Sequence, residues 1–441
     1  MNMLGPGSRS SFIVHRSCNE WLRPMAWLVA ILLVATVLFA YSAIIKARRM
    51  PVSLEVQGDV GRDGLMRAMA AYTWGRVIEG NRVTIIQNSA FFDVLIEEVG
   101  AARHHVHLET FLWRDGVVSE RVAGALMAAA QRGVDVRVLV DQRGAKKTDP
   151  RVWGRLRAAG CDFRVFHRMR IGEFPWYNHR DHRKIVVIDG RLGFTFGHGI
   201  ADMWGGSEES PHGWRDTAAR CEGPIVAELQ AAFFDNWSRT TGRVIARHDL
   251  FPPLERAGDT PLHVAYASPR GTLSAVQRLY YFAIATAREE IILQNPYFLP
   301  SRRAMELFAE AAARGVRISI LLPTVDTNDF SIVQHASHVY YGDLLKLGAR
   351  VYEYTRGLHL KVMIIDGQWC TIGSTNFDPR SFRINDEITL AVCDAGIAAE
   401  LRRAFHDDLR LAEEWTLERW KARSMRHRIE DRWSALFKRQ L

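Results

Sequence analysis

Two stretches of the chain carry a histidine, a lysine two residues on, and an aspartate five residues after that. Residues 182–189 read HRKIVVID and residues 359–366 read HLKVMIID. His182, Lys184 and Asp189 thus return as His359, Lys361 and Asp366, each 177 positions later. An imidazole changes charge near neutral pH and can act as a nucleophile or as a proton donor. A lysine held beside it can grip a phosphate and offset the charge that grows in a transition state. One histidine cannot attack phosphorus and also protonate a leaving group on the opposite side, whereas two can. The duplicated phrase therefore points to displacement at a phosphodiester through a covalent phosphohistidine.

The elements around each phrase must place these side chains. Four apolar residues follow each lysine, Ile185 to Ile188 and Val362 to Ile365, a run that suits a strand covered on both faces. On a strand, residues i and i+2 share a face, so each histidine points the same way as its lysine, with the aspartate at the strand end. In the first half, strands are expected at 83–87, 104–113, 134–141 and 161–167, with helices at 91–102, 121–131 and 225–237. The second half repeats the pattern, with helices at 273–290, 303–313 and 340–347 and strands at IILQNPYF and VRISILLP. Strands alternating with helices predict an α/β fold. The repeat predicts two similar α/β/α halves, 75–246 and 262–411, joined by a Pro-containing linker at 247–261 and facing each other across a pseudo-two-fold axis. Each half supplies one His and one Lys, so neither half is expected to work alone.

The ends have a different character. Residues 1–23 form a polar, basic tail. Residues 24–46 contain the uncharged run PMAWLVAILLVATVLFAYSAII, long enough as a helix for a bilayer core and expected to be a retained single-pass anchor. Residues 412–441 are expected to form a basic amphipathic helix, with Met425, Ile429, Trp433 and Phe437 on one face and arginines around them.

The net charge of +9 favours acidic partners, and both anionic lipid and nucleic acid meet that description. The membrane span argues for lipid, and no nucleic acid partner is expected. The five cysteines show no C-x-x-C spacing, so neither a disulfide framework nor a zinc site is suggested. His105, His107 and Glu109 share a strand face, but their spacing matches no standard zinc pattern, and no metal is expected. The basic, aromatic stretch 168–178 is expected to be a headgroup or interface loop.

The paired motifs resemble the HKD motifs of the phospholipase D superfamily. LETFLW, RGVDVRVLVD, HRKIVVIDG, WRDTAARCEGP, NPYFLP, RGVRISILLP and HLKVMIIDG…IGSTNFDPRSF resemble bacterial cardiolipin synthases in order and spacing, over roughly residues 75–410. The resemblance implies two phospholipase D-like halves. It also implies a membrane phosphatidyltransferase that makes cardiolipin from phosphatidylglycerol or a related phospholipid, working in a bacterial inner membrane. A hydrolytic phospholipase D releasing phosphatidic acid would use the same intermediate. By the family pattern His182 is the nucleophile and His359 the acid; the two copies alone do not order them. For this to run near pH 7, one imidazole is expected to be neutral and the other protonated. An acidic residue after each motif orients a histidine, which implies Asp216 in the first half and Glu387 in the second. Lys184 and Lys361 are expected to hold the phosphate oxygens, with Ser374 and Asn376 as neutral donors and no cofactor. Asp189 and Asp366 complete the motifs and are expected to pair with backbone or cations at the strand ends. The first motif lacks the Gly-Ser-x-Asn tail, reading Phe196-Gly197-His198-Gly199 instead. His198, or backbone N–H groups, are therefore expected to substitute for the missing donor.

Overall fold

The computed structural model describes residues 25–37, 61–166, 178–206, 213–267 and 274–436. Residues 1–53 and 54–441 are two separate units. In the first, residues 25–37 are helical, with apolar side chains such as Trp27 and Leu33 exposed. Among the described residues no helix is long and apolar enough to cross a membrane. The rest of the expected 24–46 span lies outside them, as do residues 168–177 of the expected interface loop.

The larger unit is built on one sheet of 15 strands. The first seven are β1 (Ile78–Gln87), β2 (His105–Thr110), β3 (Asp135–Asp141), β4 (Asp162–Phe166), β5 (Ile185–Ile188), β6 (Leu192–Phe196) and β7 (Thr217–Glu222). Then follow β8 (Thr260–Ala267), β9 (Glu290–Gln294), β10 (Arg317–Pro323), β11 (Arg350–Tyr354), β12 (Val362–Ile365), β13 (Trp369–Gly373), β14 (Glu387–Val392) and β15 (Ala412–Trp415). Their spatial order is β15-β11-β10-β9-β12-β13-β14-β8-β1-β7-β6-β5-β2-β3-β4. Read outward from the β8–β1 seam, each half gives the same sequence of seven equivalent strands, and β15 adds an eighth at the outer edge of the second half. The internal repeat thus becomes one continuous sheet whose halves are related by a pseudo-two-fold at that seam.

The motif strands β5 and β12 occupy equivalent interior positions, each antiparallel to both neighbours. Alternation explains their unbroken apolar text. Val186 and Ile188 join the core of the first half, and Met363 and Ile365 that of the second. Ile185, Val187, Val362 and Ile364 face a third cluster to which both halves contribute. A polar residue on either face of these strands would sit in a closed interior without a partner.

Both strands end in the same hairpin turn. Asp189 and Gly190 have φ of 52° and 64°, and Asp366 and Gly367 have 53° and 59°. Two successive left-handed residues make the tight turn that matches strand twist, and Asp followed by Gly tolerates it best. The Asp189 carboxylate accepts the backbone N–H groups of Arg103, His104 and His105 at 2.9, 2.7 and 2.9 Å. Asp366 accepts those of Arg288, Glu289 and Glu290 at 3.1, 2.8 and 2.9 Å. The motif aspartates therefore close the hairpins and pin the entry to β2 and β9, at the strand ends remote from the histidines.

Two departures from the sequence reading, and the surroundings of the histidines on β2, have physical causes. The C-terminal segment opens on β15, antiparallel to edge strand β11, before short helices at Leu417–Lys421 and Met425–Leu436. The helix expected at 340–347 begins at Ser331, and its first turns bury the polar Gln334, Ser337 and His338 alongside Val333 and Ala336. The buried Glu353 collects the polar groups, accepting from Gln334 at 2.7 Å, His338 at 2.8 Å and Tyr341 at 3.0 Å. Finally, His105 and His107 do share a face, their rings 4.6 Å apart, but helix Val226–Thr241 covers it. Gln230 meets His107 at 3.0 Å and Asn236 donates to Glu109 at 2.7 Å.

Candidate active site

Regular strand begins only after the lysines, because the residues before β5 and β12 pair with the opposite half. His182 N donates to Asp386 O at 2.9 Å, and Asp386 N to Arg180 O at 2.8 Å. Equivalently, His359 N donates to Arg215 O and Arg215 N to Gly357 O, both at 2.8 Å. Each histidine backbone is thus stitched to the segment that follows the other motif. The two His-Lys pairs meet at the seam, and all four side chains are buried.

This stitching decides the orienting partners. His182 Nδ1 lies 3.0 Å from Glu387 Oε2, and His359 Nδ1 lies 2.8 Å from Asp216 Oδ2. Asp216 and Glu387 are both in place, but each serves the histidine of the other half.

The surroundings of the two carboxylates differ. Glu387 accepts from Ser374 Oγ at 2.5 Å, Ser381 Oγ at 2.7 Å and Asn385 Nδ2 at 3.2 Å. Ser374, expected on the substrate, thus spends its hydroxyl holding Glu387. Asp216 is one methylene shorter and approaches more closely, accepting from Trp204 Nε1 at 3.0 Å and Thr217 N at 2.9 Å. Gly197, which matches Ser374 in the repeat, makes room for it: a Cβ there would sit 2.1 Å from Asp216 Oδ1. Gly199 stands where the second half has Asn376, and a Cβ there would meet Trp204 at 2.8 Å and Leu112 at 2.9 Å. Trp204 therefore replaces the missing tail of the first motif, both filling its space and supplying the donor. His198 lies fully buried beneath, stacked on Phe91 at 4.7 Å with Nε2 2.9 Å from Asn88 O. Asn376 is buried too, and its Oδ1 has no hydrogen-bond partner.

Gly197→Ala is expected to displace Asp216 and lower turnover on the order of 100-fold, as small misplacements in a catalytic site do. A wild-type rate in a normally folded Gly197→Ala enzyme would remove Asp216 from the site's working parts; circular dichroism would check the fold.

Aromatic walls close the pairs off from water. Phe111 stands 5.0 Å from the His182 ring, and Lys184 Nζ lies 5.8 Å over Phe111. Trp204 and Trp214 stand 5.1 and 5.7 Å from His359. Beside His359, a cleft of about 580 Å3 is bordered by Trp214, Met203, Asn328 and Gly357. Sequence reasoning did not assign Phe111, Trp204, Trp214 or Gly197. The two tryptophans lie in the chain between the first glycine-rich tail and Asp216, and that proximity was the available signal.

Enclosure disfavours charge on every base present. Burial pushes His182 down to about 4, against the pull of Glu387, and Lys184 down to about 8. Burial, with Lys361 and Lys184 adding to it, holds His359 well below the ordinary imidazole range. Burial also takes Lys361 down to about 7. Glu387 resists burial and stays below the usual carboxylate range because His182, Lys184 and Ser374 stabilise its anion. One imidazole was expected neutral and the other protonated; instead burial favours the neutral form of both, and the lysines are the more basic groups. Lys361 Nζ is 2.7 Å from His359 Nδ1 and donates to His359 O at 2.6 Å. Lys184 Nζ donates to His182 O at 2.9 Å.

A family profile described as "Cardiolipin synthase, PLD-like domain" matches residues 95–213 and 281–409, more than half of the chain. The major cardiolipin synthase of Bacillus subtilis is 30% identical over 365 residues, covering 81% of this chain and 75% of that protein. The cardiolipin synthase of Geobacillus kaustophilus is 34% identical over 349 residues, covering 78% of this chain and 69% of that one. Among solved structures, a phosphatidylserine synthase from Haemophilus influenzae aligns with a TM-score of 0.61 at 13% identity, over 81% of this chain and 95% of that one. A polyphosphate kinase from Porphyromonas gingivalis aligns at 0.52 and 14%, over 84% and 52%. At such identities these two likenesses are ones of fold.

Proposed function

The chain belongs to the cardiolipin synthase family of phospholipase D-like proteins, and from that premise we propose that it is a membrane phosphatidyltransferase. It makes cardiolipin from phosphatidylglycerol or a related phospholipid through a phosphohistidine. The observation that carries this reading is the convergence of His182–Lys184 and His359–Lys361 with their carboxylates exchanged between halves.

His182 is the nucleophile in this reading. Its Nδ1 faces Glu387, so the ring hydrogen sits there and the Nε2 lone pair is left for phosphorus. Attack forms the N–P bond and breaks the P–O bond to glycerol. His359 gives its Nε2 ring hydrogen to that departing oxygen while its Nδ1 takes up a proton from Lys361, 2.7 Å away. A hydroxyl of a second phosphatidylglycerol then attacks phosphorus, losing its proton to His359 as the N–P bond breaks, and cardiolipin leaves. Lys184 and Lys361 balance the charge on the non-bridging oxygens, and Asn376 adds a neutral donor. Ser374 acts through Glu387, and Asp189 and Asp366 act through the hairpins. His198, expected to substitute for the missing donor, instead supports the floor beneath Asp216. The apolar run 24–46 anchors the enzyme in a bacterial cell membrane, where its anionic lipid substrates lie.

Membranes holding the full-length protein and labelled phosphatidylglycerol provide the test. Cardiolipin and free glycerol are expected; phosphatidic acid as the product would make the enzyme a hydrolase and overturn the transferase reading.

The pH dependence has a defined sign. The lysines must be charged to bind phosphate, and their protons leave as pH rises through about 7 for Lys361 and about 8 for Lys184. His182 must be neutral, and it protonates only as pH falls towards about 4. Thus kcat/KM, which reports the free enzyme, is expected to plateau between these limits and fall above neutrality. A bound phosphodiester anion favours the ammonium forms, so the alkaline limb of kcat should lie at higher pH. Coincident alkaline limbs would mean that these lysines do not contact the phosphate.

A further inference from the structure

Helix 425–436 is inverted relative to an ordinary surface helix. Its inward side carries the buried Asp431 and Ser434, while Met425, Ile429, Trp433 and Leu436 point outward, 70%, 60%, 58% and 76% exposed. These four fall on one stripe, at i, i+4, i+8 and i+11. The inward side is held by charge. Asp431 Oδ1 lies 3.0 Å from His335 Nδ1 and 3.4 Å from His338 Nδ1, and Oδ2 accepts from Arg423 Nη1 at 2.6 Å. His338 is fixed from behind by Glu353 at 2.8 Å. Rolling the helix to bury its apolar stripe would strip a buried carboxylate of all these partners, so the outward stripe is built in.

The stripe has a basic surround. Residues 417–436 hold six Lys or Arg against three Asp or Glu, and Arg426, Arg428 and Arg432 are exposed beside it. An exposed apolar row containing a tryptophan and flanked by arginines matches the boundary between anionic headgroups and acyl chains. It also sits close to the cleft that Trp214 and Gly357 border. Ala435 and Tyr297 pack on the same small cluster of Leu299, Val333 and Ala336. The Tyr297 hydroxyl donates to Asp329 at 2.6 Å, and Asn328, one residue before it, borders the cleft beside His359. The next residue, Phe330, is itself 57% exposed.

We propose that helix 425–436 docks on the surface of an anionic phospholipid bilayer. The Met425–Ile429–Trp433 row enters the headgroup–acyl boundary, and docking presents the cleft beside His359 to the lipid. This rests on the reading of phospholipid as substrate, and it assigns the C-terminal helix a role separate from the N-terminal apolar run.

The full chain in vesicles tests it, with Cys18 replaced by Ser and an environment-sensitive fluorophore on Ile429→Cys; Glu255→Cys, in the connecting segment, is the control. With phosphatidylglycerol present, the label at 429 should shift to the blue and resist iodide quenching, while that at 255 should do neither; phosphatidylcholine alone should produce no protection. The Ile429→Asp/Trp433→Asp enzyme should lose about fivefold or more of its activity on anionic vesicles yet match wild type on detergent micelles, where docking is not needed. A label at 429 as accessible as that at 255 overturns the proposal, even if wild type makes cardiolipin. Protection that tracks protein concentration rather than phosphatidylglycerol means a second copy covers the face, which also overturns it. Failure of wild type to turn over any phospholipid would sink the functional reading instead, and the fluorophore would still report docking.

Discussion

A His359→Asn enzyme will release one equivalent of nitrophenolate from phosphatidyl-p-nitrophenol and then stall, carrying the phosphatidyl group on His182. Nitrophenolate leaves without being protonated, so the first displacement needs only the His182 lone pair and the lysines. The second needs a base to take the proton of the incoming alcohol, the role proposed for His359. Removing a positioned acid–base group costs about 10²–10⁴ in rate, enough to separate a fast burst from a slow steady state. A His182→Asn enzyme should give no burst at all, because the other imidazole cannot substitute from the leaving-group side. The adduct is a phosphoramidate, stable to base and labile to acid, and mass spectrometry of the peptide containing residue 182 would locate it. A burst from the His182→Asn enzyme with label on His359 would reverse the roles. Bursts from both variants would mean that either half can attack.

Much of this site was legible because its parts lie close together in the chain. A histidine and lysine two residues apart, a four-residue apolar strand and a turn-forming aspartate form one local unit, and a second copy ruled out coincidence. The strands and helices of the repeat were legible for the same reason, since β5 and β12 carry apolar residues on both faces. What stayed hidden depends on contacts across the seam. Glu387 is 205 positions from His182, and Asp216 is 143 from His359. A repeat offers in-half and cross-half pairing with the same text, and only the strand order decides between them. Trp204 was hidden because the sequence shows only that the first-half asparagine is absent, and not that an indole from a neighbouring turn fills its space and donates to Asp216. The early turns of helix 331–346 and the inward side of helix 425–436 were hidden because they bury polar groups against one another. Apolar periodicity then marks the exposed side of helix 425–436, and in the early turns of helix 331–346 buried polar groups interrupt it between Val333 and Ala336.

The exchange of carboxylates predicts a crossed mutational pattern. Glu387→Gln should suppress the nitrophenolate burst, although Glu387 follows the second motif in sequence. The amide keeps the shape but loses the anion that fixes the hydrogen on His182 Nδ1 and stabilises the cationic ring once Nε2 has bonded to phosphorus. Loss of the corresponding anion in a His–carboxylate pair costs on the order of 10⁴. Ser374, Ser381 and Asn385 donate to Glu387, and the two hydroxyls can turn to accept from a Gln amide, so the fold should survive and the loss should be chemical. Asp216→Asn should do the reverse. It acts on His359, so the burst from the nitrophenyl donor should persist while turnover of phosphatidylglycerol, whose leaving alkoxide needs a proton, falls by about 10²-fold or more. In-half pairing would exchange the two results: Asp216→Asn would abolish the burst and Glu387→Gln would spare it. Because one donor and one assay read both variants, a general loss of folding would lower both rates together and be distinguished from either pattern. With the crossed pattern, neither half holds a complete nucleophile, since each histidine depends on a carboxylate that only the other half supplies.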